Sequence, residues 1–167
     1  DLVTHVVAAW DAAWAAPAKK VVLFDEMTMG QIMAGFPDLI GIPYQLFAVF
    51  LVSEIDQLTC VPYIDAVESF GLPADCCPVP SSECGALVLD ALPHMGKCFI
   101  SSSMPCDGSV MASSYFSRRF PDIPVHHLCF PVRYEDELTL DAAVEDVKEC
   151  IRFIEKQTGE KWNWDSY

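Results

Sequence analysis

Short apolar runs that alternate with helical patterns constrain this chain more than any other feature of it. Val21-Val22-Leu23-Phe24, residues 97–101 and residues 125–130 each have the length and apolar character of a strand. Between them lie segments whose apolar residues recur every three or four positions. That alternation predicts an α/β chain whose strands run parallel and are joined by right-handed crossovers. Residues 1–16 set Val3, Val6, Val7, Trp10 and Trp14 at helical spacing, and Pro17 ends that run. Residues 31–36 read as a short helix. Residues 46–51 are a continuous apolar run suited to a buried strand, although periodicity alone also admits a helix.

Two clearer strand-helix units follow, residues 97–101 leading to a helix over 108–120 and residues 125–130 leading to a helix over 138–156. In the last helix Leu140, Val144, Val147, Ile151 and Ile154 form the expected apolar stripe. Asp141, Glu145 and Asp146 stand early in it and Arg152 and Lys156 late, as the helix dipole favours, and Gly159 is its stop. With 167 residues and 52% hydrophobic composition, the chain has the material for one domain with a real core.

Charge and hydropathy exclude two classes of partner. Against 24 acidic residues there are only 10 basic ones, a net charge of −14, and neutralising a phosphate backbone needs clustered Lys and Arg. No nucleic-acid partner is expected. No run reaches the roughly 18 apolar residues that span a bilayer, since residues 40–52 are interrupted by Pro43, Tyr44 and Gln45 and stop at Glu54. No basic segment precedes an apolar stretch with a small-residue cleavage site, so the expected location is the cytoplasm.

The eight cysteines are set in an apolar chain, not in the loop-rich, core-poor sequence of a small disulfide scaffold. Cys98, Cys129 and Cys150 read as small buried hydrophobes. Cys60 and Cys84 are ambiguous. Two sites differ from these, Leu72-Pro73-Ala74-Asp75-Cys76-Cys77-Pro78 and Ser103-Met104-Pro105-Cys106-Asp107-Gly108, each placed where a core segment meets a turn. Cys106 follows a strand, at the carboxyl end where ligands gather in open parallel sheets, and Asp107 and Gly108 open the next helix. Pro78 and Pro80 with Ser81-Ser82-Glu83 form another helix start beside Cys77. Adjacent side chains diverge, so of Cys76 and Cys77 one is the metal ligand and the other a neighbour, and Cys77 is the choice. The competing reading is a turn with an incidental cysteine, because the spacing from Cys77 to Cys106 matches no compact zinc or ferredoxin motif.

At these residues the sequence resembles the 2-hydroxyacyl-CoA dehydratase and benzoyl-CoA reductase family, whose D-component it is most similar to from Val61 to Trp164. The resemblance rests on Pro62-Tyr63-Ile64-Asp65-Ala66-Val67-Glu68, Gly71-Leu72-Pro73-Ala74-Asp75-Cys76-Cys77, Met104-Pro105-Cys106-Asp107-Gly108 and Thr158-Gly159-Glu160-Lys161-Trp162-Asn163-Trp164. Met29-Gly30-Gln31-Ile32-Met33-Ala34-Gly35-Phe36 with Gly41-Ile42-Pro43 is similar to the family's early segment. It implies a Rossmann-like three-layer domain with a short, mainly parallel sheet flanked by helices. It also implies an iron-sulfur cluster, four-iron or half of a double cubane, held by three cysteines on successive domains. Cys77 and Cys106 match the first two ligands, and Cys76 adjoins them. The third normally comes from a later domain, so the 167 residues are expected to be the N-terminal part of a longer subunit, with Cys60 or Cys84 the alternative third ligand.

The resemblance further implies a homologous second subunit and an ATP-dependent activator protein, which injects one electron toward the thioester carbonyl of a 2-hydroxyacyl-CoA. The resulting radical anion expels the adjacent hydroxyl. The early segment of the family implies an acidic residue for proton transfer, where this chain has Gln31. Glu26 and Glu54, both just past expected core segments, are the remaining acidic candidates, though a solvated charge explains either. Ser102, in the run Ser101-Ser102-Ser103, is a candidate for hydrogen bonding to a cluster or thioester, though such a run also suits a turn. Arg118 and Arg119 could meet coenzyme A phosphates or simply complete a helix C-terminus. His126 and His127 face opposite ways on a strand, which favours packing over ligation. Trp162, Trp164 and Tyr167 either cap the last helix or pack on a further domain. Three readings follow: a dehydratase or reductase component, an electron-relay protein of the double-cubane type without a CoA substrate, and a cluster-free α/β binding domain.

Overall fold

The computed structural model describes residues 2–25, 30–43, 50, 52, 54–91, 96–104, 107–131 and 136–166. Their order is α1 (Leu2–Ala15), a 3-10 turn (Ala18–Lys20), β1 (Val21–Phe24), a 3-10 helix (Gly30–Gly35), β2 (Ile40–Pro43), α2 (Val61–Ser69), α3 (Pro78–Val88), β3 (Cys98–Ser102), α4 (Asp107–Arg119), β4 (Val125–Leu128) and α5 (Glu137–Thr158). The strands form one parallel sheet in the order β2-β1-β3-β4. Val22 lies opposite Gly41 on one side and Cys98 on the other.

Period-two alternation splits the core into two. Val21 and Leu23 face Ala86 and Leu87 of α3, Phe116 of α4 and Ala13 of α1. Val22, between them, faces the other way, into a cluster with Ile32, Phe36, Cys150 and Ile154. Helices on both faces explain why β1 is apolar throughout rather than alternating. The result is the three-layer α/β arrangement that the alternation of apolar runs and helices predicts.

The layer carrying α3 is doubly covered. Residues 80–87 are all buried, including Ser81, Ser82 and Glu83, because α2 packs over the side of α3 that faces away from the sheet. Contact there is close enough that a Cβ on Gly85 would lie 1.9 Å from the Tyr63 carbonyl oxygen. Val67, Leu72, Cys76, Cys84 and Ala112 fill the space between α2, α3 and α4.

Several expectations change on meeting the structure. Within 46–51 only Phe50 is described, and it is helical, its ring edge-on to Trp10 at 5.5 Å. The strand Ile40–Pro43 has Gly41 and Pro43 against it in propensity. An edge strand admits both, and Gly41 lets β2 lie under Met33 and Phe24, whose side chains a Cβ would meet at 2.7 Å. In α5 the buried stripe is Ala143, Cys150 and Ile154, with Val147 half-buried, and Leu140 and Val144 are exposed. The small Ala143 and Cys150 let the helix sit close on the sheet, which turns the larger aliphatics outward. Asp136 caps α5 by accepting from Thr139 N at 2.8 Å, and Gly159 ends it with φ 82°.

Cys129 is exposed, not buried as expected, because β4 ends at Leu128 and the inward alternation ends with it. Cys98 and Cys150 are fully buried, as expected. Trp162 folds back onto its own domain, its ring over Gly35 and edge-on to Phe36 at 5.4 Å, while Asn163 N donates to the Gly35 carbonyl at 2.8 Å. Trp164 stays exposed beside it. Among the described residues no helix is long and apolar enough to cross a membrane.

Candidate site at the carboxyl ends of the strands

The carboxyl ends of β1, β3 and β4 and the first turns of α3 and α4 meet at one edge of the sheet. A network of short polar side chains ties them. Asp25, directly after β1 and only 1% exposed, accepts from Ser102 N at 2.8 Å and from the Ser101 hydroxyl at 3.3 Å through the same oxygen, Oδ2. The Ser102 hydroxyl accepts from Met104 N at 3.0 Å. Ser103 reaches the other way: its hydroxyl accepts from Phe130 N at 3.0 Å and donates to Phe130 O at 3.4 Å. The three serines therefore join the ends of three strands, because a hydroxyl both donates and accepts on the backbone where the ladder stops.

The first cysteine site comes to the same edge. Pro73 and Pro78 confine the segment between α2 and α3, and Cys77 is the N-cap of α3, half-buried, with no side-chain hydrogen bond to the helix. Cys76 turns inward instead, its thiol 3.9 Å from the carbonyl of Gly108 in the first turn of α4. Of the two adjacent cysteines, Cys76 is buried and Cys77 is half-buried. Cys106 lies outside the described residues, as does Glu26. In sequence Cys106 stands between Met104, which the serine network holds, and Gly108, which the Cys76 thiol approaches.

A cluster ligand must be a thiolate with room for iron beside it. Cys77 fits that requirement: it is accessible, and it stands at a helix N-terminus, where backbone N–H groups favour bound negative charge. Cys84 does not fit. Burial first, and then the neighbouring Glu83 and Cys76, push its pKa well up, and its thiol points at the Ala112 carbonyl at 3.6 Å. Burial also raises Cys60, against a hydrogen bond with Ser82 that lowers it. Among the described residues no group of three His, Cys, Asp or Glu could hold a metal ion.

The other candidates fall in different places. Ser102 belongs to the edge network and is fully buried. Glu54 is exposed. Arg118 and Arg119 stand at the far end of α4, about 20 Å along the helix axis from its start. The Arg119 guanidinium lies over Phe70 and Phe120, at 5.7 and 5.4 Å from the ring centroids. His126 packs on Phe153, and burial lowers its pKa against the opposing pull of Asp146 and Glu149. Asp25 is the residue of the site that sequence reasoning passed over in favour of Glu26. Its signal was its position, the first polar residue after an apolar parallel strand.

The family model for the 2-hydroxyglutaryl-CoA dehydratase D-component matches residues 58–167 of the chain. No curated protein matches it. The matched span starts just before α2 and takes in both cysteine motifs and the whole of α5.

Proposed function

The chain belongs to the 2-hydroxyglutaryl-CoA dehydratase D-component family, and from that premise we propose that it is the cluster-bearing domain of a 2-hydroxyacyl-CoA dehydratase. Cys77 and Cys106 are its iron-sulfur ligands, with a third supplied by a later domain. The observation that carries this reading is the meeting of the cysteine turn with the first turn of α4, through Cys76 and Gly108, which leaves Cys77 accessible beside it. When bound, such a cluster supplies single electrons to a thioester carbonyl, the chemistry by which the neighbouring hydroxyl leaves as water.

The residues of the chain do the rest. The N-termini of α3 and α4 favour negative charge at the site. Ser101, Ser102 and Ser103 hold the strand ends rigid, and Ser102 acts through the turn it holds. Glu54, which is exposed, takes the role of carrying a proton to or from a substrate hydroxyl. The working protein pairs with a homologous second subunit and receives electrons from an ATP-dependent activator, in the oxygen-poor cytoplasm such a cluster needs.

A second reading, electron relay without a CoA substrate, is favoured by the net charge of −14 and by the placement of Arg118 and Arg119 away from the site. Activator-dependent turnover of a 2-hydroxyacyl-CoA separates the two. The cluster itself is tested by iron and acid-labile sulfide after anaerobic purification and reconstitution. Cys77→Ser and Cys106→Ser should each lower both contents while far-UV circular dichroism stays unchanged. Equal contents in both variants and the parent would sink the assignment.

A further inference from the structure

Glu83 and Asp25 are buried carboxyl groups to which the proposed chemistry gives no part, each only 1% exposed. Glu83 stands three and four residues before Ala86 and Leu87, so it shares their side of α3, which packs in one cluster with Val21, Leu23 and Phe99 of the sheet. Gly85, two positions on and so about 200° round the helix, meets Tyr63 of α2 instead. Glu83 therefore faces the sheet. Helix α3 leads into the start of β3, so its first turns lie toward the carboxyl ends of the strands. From Leu87 back to Glu83 is about 6 Å along the helix, close to the two-residue step from Leu23 to Asp25 or from Phe99 to Ser101.

Asp25 comes to this level from the sheet. Its amide donates to Ile100 O at 3.2 Å, so the ladder between β1 and β3 reaches it, and alternation puts it on the face of Val21 and Leu23. The Ser101 hydroxyl, 3.3 Å from Asp25 Oδ2, is on the face of Phe99. Ser109, seven residues before Phe116 on the same side of α4, is buried as well. Asp25, Ser101 and Ser109 thus share this layer with Glu83, and the thiols of Cys84 and Cys76 lie nearby. Two ionised carboxylates in a layer that excludes water repel each other unless a cation lies with them, and no Lys or Arg among the described residues is buried. The donors decide which carboxyl ionises. Ser102 N and the Ser101 hydroxyl both meet Asp25, and hydrogen bonds to the charged form favour it.

We infer that Glu83 holds a proton at neutral pH opposite an ionised Asp25, and that the pair makes the seating of α3, the helix capped by Cys77, depend on pH. The inference does not depend on the cluster. In the full chain at pH 7, infrared spectroscopy should show the carbonyl stretch of a protonated carboxyl group, and Glu83→Gln should remove it. Asp25→Asn, or Asp25→Ser should that variant fail to fold, takes away the opposing charge and should lower the pH at which the band disappears by about one unit or more. A carboxyl group whose pKa is raised by folding supports the folded state below the ordinary glutamate pKa and loses that support as the pH rises toward its folded value. In urea unfolding, Glu83→Gln should therefore gain on the parent by up to about tenfold in the folding equilibrium constant for each pH unit of that window. A parent without the band at pH 7 overturns the inference, as does a Glu83→Gln variant less stable than the parent at pH 8, which would mean an ionised Glu83 held by a cation. A band whose midpoint ignores the loss of the Asp25 charge overturns the pairing.

Discussion

The cysteines show how far one side-chain type can be divided by its surroundings. None of the seven among the described residues is in a disulfide, yet Cys77 is accessible, Cys129 exposed, and Cys98 and Cys150 fully buried in the same core cluster. Burial is the chief cause that pushes both of the last two up to about 12, from 9.0. Lys97 opposes this slightly at Cys98, while Cys98 itself and Asp146 add to it at Cys150. A thiol whose pKa is raised by folding supports the folded state fully below pH 9 and loses that support as the pH climbs toward 12. Stability should therefore fall above pH 9, by about 1 kcal/mol for each of these thiols at pH 10. Urea unfolding at pH 8 and pH 10 measures this, and Cys150→Ala should lose less between the two pH values than the parent. An identical loss in both would show that the thiols are not the cause.

Among the helices, α3 is the one on which the site depends, since its N-cap is Cys77 and its interior is buried on every side. Such a helix shows no amphipathic stripe, because α2, α4 and the sheet each cover part of it. Its position is set by Gly85, which allows the Tyr63 backbone to approach. Gly85→Ala would place a methyl group 1.9 Å from a carbonyl oxygen that belongs to helix backbone and cannot swing aside. Overpacking of this kind should cost about 3 kcal/mol, seen as a lower urea midpoint with an unchanged slope. The same shift of α2 from α3 would disturb the turn holding Cys76 and Cys77, so iron content should fall with it. A stable variant with full iron would show that the two helices have room to spare.

Over the full chain, charge has the widest reach. A net −14 on 167 residues produces self-repulsion throughout, and α5 concentrates it, with Glu137, Asp141, Glu145 and Glu149 exposed along one helix. The exposed pairs of Lys148 and Arg152 with Glu145 offset little of this. Raising NaCl from about 0.01 M to about 0.5 M should therefore raise Tm by a few degrees, because the Debye length shrinks below the spacing of the charges. A Tm that is flat or falling with salt would mean that ion pairs outweigh the repulsion. The same field predisposes the surface to cationic partners and sets it against polyanions.

Local features were legible in the order of residues alone: strand and helix periodicity, the stop of α5, and the two cysteine motifs with the family they resemble. Val21-Val22-Leu23-Phe24 and the stop at Gly159 could be read because steric and hydrogen-bonding preferences act within a few residues. The strand Ile40–Pro43 could not, since its glycine and proline are explained only by its place at the sheet edge and, for Gly41, by what lies over it. Nor could the burial of Asp25, whose donors are far along the chain in Ser101 and Ser102, or the contact of Cys76 with Gly108. The outward face of Leu140 and Val144 and the return of Trp162 onto Gly35 were likewise set by packing. Periodicity shows that a face is apolar, but which residues of it are covered depends on how closely the neighbouring layer can approach, and that is fixed only when the layers meet.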